Sequence, residues 1–80
     1  MKIKEAIVLR FQTLCKENDI KYNELANRAG VTPSTVYSMM EESRKDLSVI
    51  TIKKLCDGLD ISISEFFNHD IFIGLEQEIK

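Results

Sequence analysis

Tryptophan is absent from this chain, and proline, histidine, glycine and cysteine are scarce: one, one, three and two of them in 80 residues. The two cysteines, Cys15 and Cys56, have no CxxC spacing, and each falls in a helical apolar pattern, so they read as reduced core thiols rather than a disulfide or metal pair. His69 has no cysteine cluster beside it and suits a helix end, where its charge would favour the dipole. No metal and no cofactor are therefore expected. Neither a glycine-rich phosphate loop nor a Ser, His and Asp set able to converge in so small a chain is present, so no catalytic residue is assigned and an enzyme is disfavoured. Long apolar runs are missing too. Lys2 and Lys4 precede Ala6 to Leu9, but Glu5 and Arg10 interrupt that run, which excludes a signal peptide and a membrane span and points to the cytoplasm. No internal repeat, linker or low-complexity segment is visible.

Eighty residues allow one domain with one core, since a chain this size buries only about 60–65% of its unfolded surface. With 44% hydrophobic and 30% charged residues it reads as soluble and globular. The net charge of −2 is unevenly spread: residues 1 to 54 hold ten Lys/Arg against seven Asp/Glu, and residues 55 to 80 hold one against six. Such segregation is compatible with one face meeting phosphate while another faces away.

The organising stretch is Tyr22 to Glu41, YNELANRAGVTPSTVYSMME. Asn23 to Ala29 places Leu25, Ala26 and Ala29 on one apolar helical face, and Gly30 supplies the left-handed residue that ends a helix. Val31 turns inward. Thr32 precedes Pro33, which pushes it into the extended conformation of an N-cap, and Pro33 suits the first helical position because it has no amide to leave unpaired. A second helix, Pro33 to Met40, follows, with Val36, Met39 and Met40 inward and Ser34, Thr35, Tyr37 and Ser38 mostly outside. A short turn brings two such helices together at about 90–120°, which requires a small residue at the crossing, and Ala26 stands there. These residues alone also fit an αα-hairpin in a small bundle.

Leu25, Ala26, Ala29, Gly30, Val31, Val36 and Met39 nevertheless match, slot by slot, the helix-turn-helix of the phage-repressor-like (Cro- and cI-like, XRE-type) family, which this stretch resembles. That resemblance extends from about Phe11 to Phe67. It implies an all-α, five-helix, lambda-repressor-like DNA-binding domain over residues 1–69, with a short C-terminal extension over residues 70–80.

The rest of the chain fits that plan. Ile3, Ile7, Phe11, Leu14 and Cys15 give a first helix, Lys4 to Glu17, ended by Asn18 and Asp19. Cys15 stands where the family commonly has arginine, so a buttressing ion pair is expected to be missing. Lys21 replaces the usual serine or threonine cap, a departure that Asn23 partly compensates. Ser48 caps a fourth helix, Val49 to Gly58, whose apolar series is Val49, Ile52, Leu55, Cys56 and Leu59. Ser62 and Glu65 form a capping box for a fifth, Ile63 to about Asn68, with Phe66 or Phe67 plugging the core. The alternation of Ile71, Ile73 and Leu75 suits a short strand, though an extra helical turn is equally open.

By resemblance, the second motif helix enters the major groove. Pro33, Ser34, Thr35, Tyr37 and Ser38 would then read bases, with thymine preferred, because that helix has no arginine, lysine, asparagine or glutamine for bidentate bonds. Lys21, Tyr22, Asn23, Arg28, Thr32, Arg44 and Lys45 are the expected phosphate contacts, and Arg44→Ala should weaken binding to all sequences alike. Contacts from one module are few, so a homodimer is expected, with Phe66, Phe67, Ile71, Phe72 and Ile73 at its interface; a monomer would use those residues internally. The function expected is a sequence-specific transcriptional regulator of double-stranded DNA, acting as a repressor, and no membrane partner is expected. The alternative is an antitoxin-like module that binds a small protein partner as well as DNA.

Overall fold

Residues at the helix ends mark where the helices stop and where most of them begin. In the computed structural model, which describes residues 1–79, these ends delimit α1 (Ile3–Glu17), α2 (Tyr22–Ala29), α3 (Pro33–Met40), α4 (Val49–Gly58) and α5 (Ile63–Phe67), followed by a 3₁₀ turn, Asp70–Phe72. No strand occurs among the described residues. The Asn18 side-chain amide donates to the Leu14 carbonyl at 2.8 Å as α1 closes, and Asp19 takes the left-handed turn (φ 54°). Gly30 (φ 71°) closes α2, and the Val31 amide donates back to Ala26 at 3.0 Å. Thr32 caps α3 by accepting from the Thr35 amide at 3.3 Å, with Pro33 in the first turn. Ser48 Oγ accepts from the amides of Ile50 and Thr51 to start α4. The α5 capping box is complete: the Glu65 amide donates to Ser62 Oγ at 3.0 Å, and the Ser62 amide donates to Glu65 Oε1 at 3.1 Å.

Phe11, Leu25, Val36, Leu55, Cys56 and Phe66, contributed by all five helices, are fully buried at the centre. Phe11 and Phe66 meet at 4.4 Å between ring centroids, joining α1 to α5. Arg10 reinforces that joint: its Nε donates to the Phe66 carbonyl at 2.9 Å and its Nη2 to Glu65 at 3.1 Å, which satisfies carbonyls that α5 cannot pair internally. Cys15 is buried and unbonded, as expected of a core thiol.

Periodicity misplaces two residues. Ile3 is 39% and Val49 68% exposed, although each lies on the apolar stripe of its helix. The stripe gives a side chain's direction but not whether another element stands opposite, and the first turns of α1 and α4 overhang the core.

The C-terminal segment forms the 3₁₀ turn rather than a strand. His69 Nδ1 accepts from the Ile71 amide at 3.0 Å, so this histidine caps the start of the 3₁₀ turn. The Phe72 ring lies 4.9 Å from Phe67 and 5.9 Å from Phe66. Beyond it, the Glu76 amide donates to the Met1 carbonyl at 3.0 Å, and its carboxylate pairs with the N-terminal ammonium at 2.9 Å. Lys80, the last residue of the expected tail, lies outside the described residues. The expected dimer residues are thereby partly spent: Phe66 has no exposed surface to offer a partner, Phe67, Ile71 and Phe72 are half-buried, and Ile73 is 76% exposed. No described helix is long and apolar enough to cross a membrane.

Candidate nucleic-acid interface

Burying Val36 and Met39 turns the opposite face of α3 outward. Pro33, Ser34, Thr35 and Tyr37 are exposed and Ser38 is half-buried, so the protein's own core covers none of the exposed four. At the start of the helix, Thr32 Oγ1 lies 3.1 Å from Ser34 Oγ and 2.9 Å from Thr35 Oγ1. These hydroxyls form one small network that can redirect its protons to either a donor or an acceptor on a base edge.

Tyr37 is more constrained than its sequence position suggests. Its hydroxyl donates to Asn23 Oδ1 at 2.9 Å, and its ring packs edge-on to Tyr22 with centroids 5.4 Å apart. Asn23 therefore spends its carbonyl on Tyr37 instead of capping α2, and Lys21 makes no side-chain cap either. The first amides of α2 consequently carry no side-chain acceptor from the Lys21 cap, which is the arrangement that suits an anionic oxygen at a helix N-terminus. Tyr22 itself is half-buried against the core, and burial pushes its phenol above the ordinary tyrosine range, so it stays neutral.

The four cations expected to meet phosphate fall into two groups. Lys21, Asn23, Arg28 and Pro33 line an open groove of about 860 Å³ beside the start of α3, where Arg28 also pairs with Glu24 at 3.4 Å. Arg44 and Lys45 lie at the other end of α3. Arg44 Nη1 donates to Ser38 Oγ at 2.9 Å, and Lys45 borders a second groove together with Lys2, Lys4, Glu42 and Glu78.

Two residues in this region escape sequence reasoning. Asn27, exposed on α2, lines the first groove with Pro33 and carries the carboxamide that α3 lacks. Lys4 of α1 donates through Nζ to the carbonyls of Glu41 at 2.6 Å and Arg44 at 2.7 Å, bracing the loop after α3. Burial first, and then the neighbouring charges of Lys45 and Arg44, lower the Lys4 pKa from its ordinary value, against the opposing pull of Glu41 and Glu42. An exposed polar position on α2 was the only sequence signal for Asn27. For Lys4 there was none, because its partners lie about 40 residues away.

Comparison with known proteins agrees with this geometry. The family described as the Cro/C1-type HTH DNA-binding domain matches residues 10–70, and the chain belongs to that family. The structure is also similar to the crystal structure of the prophage Lp1 protein 11, with a TM-score of 0.81 and 30% sequence identity over 94% of this chain and 100% of that one. Comparison with curated proteins gave no match. The phage-repressor-like resemblance read from residues Phe11 to Phe67 is thus confirmed, as is the all-α, five-helix fold.

Proposed function

We propose that this DNA-binding protein is a sequence-specific transcriptional regulator without enzymatic activity, which inserts α3 into the major groove and represses by occupying its operator. The observation that carries this reading is the exposed hydroxyl-bearing face of α3, with Lys21, Asn23 and Arg28 beside its start and Arg44 and Lys45 at its end. Pro33, Ser34, Thr35, Tyr37 and Ser38 contact base edges. Thr32, the amides of Tyr22 and Asn23, and the cations Lys21, Arg28 and Lys45 hold the backbone. Thymine methyl groups suit Pro33 and the Thr35 methyl, so the preferred half-site is rich in T.

Two copies related by a two-fold axis would read half-sites about 34–36 Å apart. Val49, Ile50 and Ile73, at 68%, 64% and 76% exposure, offer apolar surface for such pairing.

Selection from randomised duplexes, followed by titration at several salt concentrations, tests the reading. A recovered T-rich inverted repeat, and a salt slope of about 0.9 per phosphate contact, are expected. Recovery of no sequence, or a slope near zero, would overturn it. Sedimentation at micromolar concentration tests the dimer.

A further inference from the structure

The exposed face of α3 has hydroxyls and an aromatic ring but no side chain that presents two parallel donors, so by itself it cannot make the bidentate bond that singles out guanine. The fold brings one such side chain alongside. Arg44 comes from the loop between α3 and α4, six residues beyond Ser38, yet its Nη1 donates to Ser38 Oγ at 2.9 Å. Its guanidinium therefore rests on the reading helix rather than out along the loop.

The loop is also fixed in place. The Arg44 amide donates to the Glu41 carbonyl at 3.1 Å, while Lys4 Nζ holds the carbonyls of both Glu41 and Arg44. A backbone braced on both sides leaves only side-chain freedom to be lost when Arg44 meets DNA, and the Ser38 bond has already restricted part of that. An arginine guanidinium carries five N–H donors in a rigid fork, so one bond to Ser38 leaves donors for a second, outward pair.

We propose that Arg44 is a specificity-determining residue: steadied by Ser38, it reads O6 and N7 of a guanine in the major groove, next to the bases met by Ser34 and Thr35. The proposal rests on α3 being the reading helix. It reverses the role that sequence position gives Arg44, which is that of a phosphate anchor. It also supplies the guanine recognition missing from α3 itself.

The test is duplex selection with the full chain as wild type, Arg44→Ala and Arg44→Lys, with circular dichroism confirming that each variant is folded. Wild type should select one guanine in each half-site. Arg44→Ala should lose that preference, binding the selected site about 5- to 150-fold more weakly while binding a duplex with the guanine replaced almost as wild type does. Arg44→Lys keeps the charge but not the fork, so it should retain the salt slope and still lose most of the guanine preference. If Arg44→Ala weakens all sequences equally and its selected site is unchanged, Arg44 only anchors phosphate and the assignment falls. A wild type that selects no sequence overturns the DNA-reading function itself, an outcome distinct from the loss of Arg44 alone.

Discussion

Tyr37 and Asn23, on the two helices of the motif, are joined by a 2.9 Å hydrogen bond from the phenol to the carboxamide oxygen. This bond couples α3 to the start of α2, and it orients Asn23 so that its amide donors point away from Tyr37. In the proposed binding mode, the phenol would position Asn23 as a phosphate anchor, while the half-exposed ring would remain available to a base.

The two roles separate by substitution. Tyr37→Phe keeps the ring against Tyr22 and should weaken binding to all duplexes alike, with a stability change under about 1 kcal/mol. Tyr37→Ala should in addition alter sequence preference, by about 1–3 kcal/mol at one base pair. In a double-mutant cycle of binding affinities, Tyr37→Phe should have little further effect once Asn23 is alanine. Full additivity would show that the two side chains act independently.

Gly30 and Gly58 should respond differently to alanine. At Gly30 a β-carbon meets nothing within 4 Å, so Gly30→Ala should cost only the left-handed strain, about 1–2 kcal/mol. At Gly58 a β-carbon would lie 3.0 Å from the Ala29 amide nitrogen and 3.1 Å from the Arg28 carbonyl carbon, where α4 crosses the backbone of α2. Despite the better helix propensity of alanine, Gly58→Ala should destabilise by about 1 kcal/mol net and displace α2. Urea unfolding measures the cost of each, and DNA affinity shows whether α2 has moved.

Removing the Arg10 fork should loosen α5. Arg10→Met retains much of the stem but deletes both bonds to the Phe66 and Glu65 carbonyls, together with the guanidinium 5.8 Å from the Phe66 ring. A loss of about 1–2 kcal/mol is expected in thermal or urea unfolding. A wild-type melting curve would show that solvent replaces these bonds without penalty.

Alkali should destabilise the fold through Cys56, whose thiol is pushed up to about 11 from 9.0, chiefly by burial. A raised acid pKa means that the unfolded thiol loses its proton before the folded one. The unfolded state then binds fewer protons, and stability falls as pH rises from 9.0 towards about 11. The loss should be on the order of 2 kcal/mol. Urea titrations at the two ends of this window should show a smaller loss in Cys56→Ala than in wild type, and equal losses would exclude Cys56 as the cause.

Local chemistry made much of this protein readable from the chain alone. Gly30, the Thr32 and Pro33 pair, Ser48 and the Ser62 with Glu65 box act within three or four residues of themselves, so the helix ends they set follow from the residues in order. Helical periodicity likewise picked out Phe11, Leu25, Val36, Leu55 and Cys56 as core, because the stripe and the burial coincide wherever another helix lies opposite. Tertiary structure decided the rest. It exposed Ile3 and Val49, whose ends of their stripes have no element opposite, and it buried Phe66 completely by packing Phe11, Phe67 and Phe72 around it. It also laid Arg44 on Ser38, linked Tyr37 to Asn23 and braced the loop with Lys4, contacts whose partners lie six, fourteen and about 40 residues apart. A hydrogen bond of that reach depends on where two helices are carried by the packing of all the others, and no short window of sequence contains that information.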